Sequence, residues 1–304
     1  MMELSPILLF AYNRPDHIER SIASLLKNQE AADSELFIYS DAPKSPEDQE
    51  QVNEVRRIIH QVTGFHQVHI IERTENWGLA RNIIDGVTNA VSQYGRVIVL
   101  EDDLVVAPYF LRFMNDALET YKEEEKVGHI QACDFTQDKT LPDTFLIKFA
   151  GSWGWATWER AWKHFNPNGS ELLQKLEDKQ LTKVFDFNGR YRFTRMLRRQ
   201  IEGKNNSWAI RWNASLFLEN LLSLNVGRSL IQNEGFDGSG TNCGAGDLYG
   251  SDLYMRPLEV KKISPIEENE AARKVFERYY TRTNSFTAKA IRRIKRTLKG
   301  DFGA

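Results

Sequence analysis

Four short apolar runs alternate with amphipathic patterns through the first third of the chain, and this alternation constrains the fold more than any other feature. Ile7-Leu8-Leu9-Phe10, Leu36-Phe37-Ile38-Tyr39, Val68-His69-Ile70-Ile71 and Val97-Ile98-Val99-Leu100 have the length and composition of buried strands. Between them, three sets of residues fall at helical spacing: Ile18, Ile22, Leu25 and Leu26; Val52, Val55, Ile58, Ile59 and Val62; and Ile83, Ile84, Val87 and Val91. Strand-helix units with short connections build a mostly parallel sheet covered on both faces, because each helix must bury its apolar stripe. The expected class is therefore α/β, a mostly parallel sheet flanked by helices, with ligands at the carboxyl ends of the strands.

Polar segments succeed the apolar runs. The fourth run ends in three consecutive acids, Glu101-Asp102-Asp103. Carboxylates crowded at the end of a buried strand repel one another and lose hydration. A divalent cation resolves that conflict, since hard oxygen donors suit Mg²⁺ or Mn²⁺. The other reading is a helix start, with Asp102 or Asp103 capping a segment from Pro108 to Tyr121. The first run ends in Ala11-Tyr12-Asn13-Arg14-Pro15 and the second in Ser40-Asp41-Ala42-Pro43, so Arg14 and Asp41 share an edge with the acids. Arg14 could pair with a phosphate or with Asp41; Asp41 could accept from a base N–H or open a turn. Grouped on one edge, they favour a nucleotide site. No phosphate-binding glycine loop succeeds the first strand, so neither a P-loop nor a dinucleotide fold is supported.

Composition narrows the class further. The 304 residues are 41% hydrophobic and 27% charged, enough for a full core. With 40 basic and 42 acidic residues, the formal charge of −2 gives no pull toward nucleic acid. Two cysteines, Cys133 and Cys243, are too few for a disulfide framework or a zinc site. His60, His66, His69, His129 and His164 show no metal-ligand spacing. No apolar run reaches about 18 residues, and Glu3 precedes the first strand without a signal peptide, so the expectation is a cytoplasmic enzyme.

Trp153, Trp155, Trp158 and Trp162 crowd the middle of the chain. Sugars present C–H faces that pack on indole rings, and Gly151 and Gly154 allow close backbone approach. Trp155, Trp158 and Trp162 are also spaced as one helix face, the pattern of an ordinary core. Trp153, ahead of that helix, is the better sugar-facing candidate. Near the end, Lys289, Arg292, Arg293, Lys295, Arg296 and Lys299 surround a stripe of Ile291, Ile294 and Leu298. Such a helix can lie on an anionic membrane, pack on the body or remain a solvated tail.

In order and spacing, Phe10-Ala11-Tyr12-Asn13-Arg14-Pro15, Asn76-Trp77-Gly78-Leu79-Ala80-Arg81-Asn82 and Glu101-Asp102-Asp103 resemble a GT-A glycosyltransferase, and within that fold the branch related to N-acetylglucosaminyltransferase I. Gly151-Ser152-Trp153-Gly154-Trp155-Ala156-Thr157-Trp158 is similar to the acceptor-side segment of bacterial members. Ser207-Trp208-Ala209-Ile210-Arg211-Trp212 and Asn233-Glu234-Gly235-Phe236-Asp237-Gly238-Ser239-Gly240-Thr241 are similar to their closing region. The resemblance implies a UDP-sugar donor framed by Ala11, Asn13, Arg14 and Asp41, with Arg81 or Asn82 near the diphosphate or sugar. Glu101 and Asp102 would contact sugar and ribose, and Asp103 would ligate Mn²⁺ or Mg²⁺. Trp153, Trp155 and Trp208 would face the acceptor. Where relatives hold a catalytic acid, this chain has Asn206, whose amide cannot accept a proton. Asp237 is the preferred substitute, ahead of Glu202, Glu219 and Asp134.

The expected organisation is a GT-A domain over 1–264, with a nucleotide-binding half (1–105) and an acceptor-binding half (106–264), then a basic extension over 265–304. The expected activity is metal-dependent transfer of a hexosyl or N-acetylhexosaminyl group from a UDP-sugar to a glycan or lipid-linked acceptor, with inversion, in surface polysaccharide biosynthesis. Membrane contact would run through 286–299, on the inner face of the membrane. A nucleotidyltransferase shares the strand-helix units and acidic metal site but needs a triphosphate-gripping loop where Ala11 to Pro15 offers one arginine. A non-catalytic nucleotide-sugar or glycan binder stays open because of Asn206.

Overall fold

The computed structural model of the protein describes residues 3–235 and 252–284. Its strands are β1 (Ile7–Ala11), β2 (Glu35–Ser40), β3 (Gln67–Glu72), β4 (Arg96–Glu101), β5 (Leu104–Val106), β6 (Val127–Gln131), β7 (Thr144–Ile147), β8 (Trp155–Trp158), β9 (Leu222–Val226) and β10 (Ile231–Asn233). The main helices are α1 (Pro15–Leu25), α2 (Gln49–Ile59), α3 (Gly78–Tyr94) and α4 (Phe110–Thr120) in the first half. In the second half come α5 (Glu159–Trp162), α6 (Gly169–Asp178), α7 (Thr182–Phe185), α8 (Phe193–Ile201), α9 (Trp208–Leu218) and α10 (Glu270–Asn284). A sheet in the order β3-β2-β1-β4-β8-β6-β9-β7 forms the core, and β5 pairs with β10 in a small second sheet.

The first four strands are mutually parallel, β6 and β9 are parallel to each other, and β8 runs antiparallel between β4 and β6. Strands β1, β2, β3, β4, β6 and β9 therefore all point their carboxyl ends to one edge, and β7 and β8 run against them. Alternation along the strands sorts side chains between two faces. Leu8, Phe10, Val97 and Val99 meet Ile83 and Val87 of α3 and Trp212 and Leu216 of α9. Ile7, Leu9, Ile98 and Leu100 meet Ile18 of α1, Val55 of α2 and Met114 of α4 on the other.

Three local expectations are corrected. Leu26 caps the end of α1 and is 41% exposed, and Val62 lies beyond α2. The acids after β4 do not cap α4, which begins at Phe110 after Tyr109 with no side-chain cap. Trp155 and Trp158 lie on strand β8 rather than on a helix with Trp162. Three residues apart on a strand, they fall on opposite sheet faces, Trp158 with Ile98 and Trp155 with Val99. Insertion of β8 between two parallel strands selects the two-residue period over the helical one.

A third core is aromatic. Phe135, Phe145, Phe149, Phe187 and Phe193 meet Val275, Phe276, Tyr279 and Tyr280 of α10. That helix lies within 265–304, while the basic stretch 286–299 lies outside the described residues. Among the described residues, no helix is long and apolar enough to cross a membrane.

Candidate active site

The acid triplet closes β4. Glu101 is the last strand residue and pairs with Phe10 of β1, so Asp102 and Asp103 emerge at the carboxyl edge beside the end of β1. The Asp102 amide donates to Phe10 O (3.0 Å), and the Tyr12 amide donates to Asp102 Oδ2 (3.2 Å). Arg14, the residue before α1, reaches back over the strand end. Its Nη2 pairs with Asp102 Oδ1, and its Nη1 pairs with Asp103 Oδ2 at 3.1 Å. Of the partners considered for Arg14, Asp41 is therefore replaced by the two aspartates.

Burial of these acids has an electrostatic cost. Asp102 is 3% and Asp103 8% exposed. Burial pushes the Asp102 carboxyl up to about 6, against the pull of Arg14. Burial and repulsion from Asp103 and Asp102 hold Glu101 well above the ordinary carboxylate range. One guanidinium thus leaves the cluster under-neutralised.

The pocket is roofed from the far end of the chain. After β10 pairs with β5, the Glu234 amide donates to Asp103 O (2.9 Å), and Glu234 pairs with Arg20 of α1 at 2.5 Å. Gly235 then lies on the acid itself: a Cβ there would stand 2.2 Å from Asp103 Oδ2 and 3.2 Å from Arg14 Nη1. Only glycine fits without displacing the carboxylate.

Asp41, at the end of β2, does not face an open site with free oxygens. Its Oδ1 accepts from the amides of Ala42 and Trp77 (2.9 Å each), and its Oδ2 accepts from Gly78 N at 2.7 Å. It fastens the start of α3 to the sheet edge. Ala11 O accepts the Asp41 amide (3.1 Å), which ties the ends of β1 and β2. Asn13 Nδ2 and the Tyr12 hydroxyl donate to Asp48 (2.8 and 2.9 Å), fixing the loop that leads into α2. Buried Asn82 accepts from Arg73 Nε (2.9 Å) and donates to Gly78 O. Arg81 is exposed and stacks on the Trp77 ring at 3.7 Å.

The expected acceptor side divides. Trp155 and Trp208 are 0% and 3% exposed and stack on each other at 5.1 Å inside the core, so neither offers a ring face to a sugar. Trp153 is partly buried and packs edge-on to Phe135, between two cores. Among the alternative bases, Glu219 comes directly after α9 at the opposite edge of the sheet, where β9 begins. Glu202 pairs with Lys204 in solvent (2.7 Å). Asp134 is buried and spends its oxygens on Thr136 and Gln137. Asp237 lies outside the described residues. Asn206 Oδ1 accepts from Arg211 Nη2 at 3.3 Å.

Sequence reading missed two groups. Gly235 carried a signal only as part of a glycine-containing motif. Arg211 carried a clearer one: a lone charge within the apolar run Trp208 to Leu218, whose residues are buried almost all round.

A mostly parallel sheet flanked by helices, with acids at the end of a central strand, fits the GT-A fold of glycosyltransferases. Glycosyl transferase family 2 matches residues 7–204, more than half of the chain, and the chain belongs to this family. No curated protein sequence matches it. Among solved structures it is similar to S. aureus TarS (15% identity, TM-score 0.30, 46% of this chain and 23% of that one). It is also similar to an active-site mutant of LgtC (9%, TM-score 0.36, 57% and 65%) and to UDP-glucose pyrophosphorylase complexed with UDP-glucose (12%, TM-score 0.35, 73% and 90%). The chain spans less than a quarter of TarS and 65% of LgtC.

The acid cluster fits a divalent cation by its chemistry: hard carboxylate donors, buried and under-neutralised by the one guanidinium of Arg14. Among the described residues no three acidic, histidine or cysteine side chains converge as a self-sufficient metal cage.

Proposed function

We propose that this glycosyltransferase is metal-dependent, takes a UDP-sugar and passes the sugar with inversion to a glycan or lipid-linked acceptor in surface polysaccharide synthesis. Its mechanistic kin on this reading is the branch related to N-acetylglucosaminyltransferase I. The observation that carries the reading is the Asp102–Asp103–Arg14 cluster at the end of β4, beneath Gly235.

Asp103 would hold Mn²⁺ or Mg²⁺ together with the donor diphosphate. When bound, such a cation stabilises the charge that builds on the departing diphosphate. Arg14, paired with both aspartates, supports the same reading as the counter-charge beside the donor phosphates. Glu101 and Asp102 are assigned to sugar and ribose, and the anchored loop at Tyr12, Asn13 and Asp41 to the walls around the base. Asp237, two residues after Gly235 in sequence, is assigned as the base that takes the acceptor hydroxyl proton. A lipid-linked acceptor would be met through the basic stretch 286–299.

Calorimetry with UDP-, GDP- and CMP-sugars, with and without Mn²⁺, tests the reading. UDP-sugar is expected to bind only with the cation, and Asp103→Asn to lower turnover by about 10²-fold or more, the usual cost of losing preorganised charge stabilisation. Unchanged binding and turnover in Asp103→Asn would overturn the metal assignment.

A further inference from the structure

A cleft of about 480 Å³ opens between α3 and the first turn of α9. Trp77, Arg81, Asp85, Asn206 and Arg211 line it. Its Trp77 end lies at the sheet edge where Asp41 holds the amides of Trp77 and Gly78.

Its charges are unbalanced. Arg211 is 7% exposed, yet its three hydrogen bonds go to uncharged oxygens: Ser207 O (3.1 Å), Pro167 O (3.3 Å) and Asn206 Oδ1 (3.3 Å). Among the described residues no carboxylate pairs with it, and one N–H on each terminal nitrogen has no acceptor. The side chain also sits in the first turn of α9, where the helix dipole adds positive potential. A buried guanidinium normally has an anionic partner, because desolvation penalises a lone charge.

A second guanidinium faces the same space. Arg81 stacks on Trp77 at 3.7 Å, while Arg73 covers the same ring at 3.6 Å. Among the described residues Arg81 has only Glu75, at 3.5 Å and largely in solvent, as an acidic neighbour. The acid in the lining, Asp85, is already neutralised by Arg73 at 2.5 Å. Two guanidinium groups therefore line a cleft whose one acid is already paired, and planar guanidinium groups suit carboxylate and phosphate oxygens.

We propose that this cleft binds an anionic group, a phosphate or a carboxylate carried on the acceptor, with Arg211 at its floor and Arg81 at its mouth. The proposal rests on the glycosyl-transfer reading and deepens it by naming the acceptor class as an anionic glycan.

Glucose 6-phosphate, glucuronic acid and glucose are compared by calorimetry on the full chain, with UDP and Mn²⁺ present to fill the donor site. Both anionic probes are expected to bind at least tenfold tighter than glucose, and the tighter of the two names the acceptor's charge. Arg81→Gln, on an exposed side chain, should weaken them about tenfold. Asn206→Asp keeps the shape of the side chain and gives Arg211 an internal carboxylate, so it should abolish the preference. Equal affinity for glucose and the anionic probes, or a preference that survives both Arg81→Gln and Asn206→Asp, overturns the proposal. Failure of UDP-sugar turnover in the wild type, measured alongside, would instead sink the transferase reading while the anion preference stands.

Discussion

Gly235 shows how a single hydrogen in place of a methyl group sets the shape of a charged pocket. Its backbone is not in the left-handed region, so alanine is conformationally allowed there and the effect of substitution is steric. Gly235→Ala is expected to push Asp103 and Arg14 aside and lower UDP-sugar turnover by about 10²-fold, since a displacement near 1 Å costs that much in a preorganised site. Thermal unfolding should shift little, which separates a local effect from misfolding. The acids and Arg14 were legible in the sequence because strand ends can be read directly from apolar runs. Their pairing was not, because Arg14 can reach Asp41 or the aspartates, and that choice depends on Asp41 being fully engaged by the amides of Ala42, Trp77 and Gly78. Asp41 is thus a fastener for α3, a role that no spacing rule reveals across 36 residues.

At the scale of elements, β8 carries the consequence of its own insertion. It brings Trp155 against His129 of β6 at 5.3 Å, and Trp212 of α9 donates its indole N–H to His129 Nδ1 at 3.1 Å. The imidazole is fully buried, and burial lowers its pKa from 6.5 to about 3. Below pH 6.5 the unfolded chain therefore binds a proton that the folded chain refuses. The stability from neutral His129 is complete above pH 6.5 and is lost as pH falls toward 3. By pH 4.5 the loss should reach about 3 kcal/mol, and His129→Asn should flatten that part of the curve in denaturant titrations across pH. A slope identical in the variant would count against this source. The four parallel strand-helix units were readable because each is a local pattern. Strand β8 was not, because a tryptophan spacing of three suits a helix as well as two faces of a strand, and only its neighbours β4 and β6 decide.

For the whole molecule, the decisive packing is between segments far apart in sequence. Helix α10 buries Val275, Phe276, Tyr279 and Tyr280 against phenylalanines drawn from 135 to 193. Each such side chain contributes about 1.5–3 kcal/mol, and the sum rivals the net stability of a typical domain, about 5–15 kcal/mol. A chain ending at residue 264 is therefore expected to precipitate or melt without cooperativity. Size-exclusion chromatography and calorimetry check this, and a soluble fragment with the full chain's melting temperature would contradict it. Basic composition near the end pointed to an extension, whereas the aromatic stripe just before it determines the packing.

The β5–β10 pairing carries one more consequence. Asp103 receives its roof from Glu234 and Gly235, which leave the ribosome long after the acids themselves. A nascent chain holding only the first strand-helix units lacks the segment that covers Asp103. The cover over Asp103 is thus completed only once synthesis has passed residue 235.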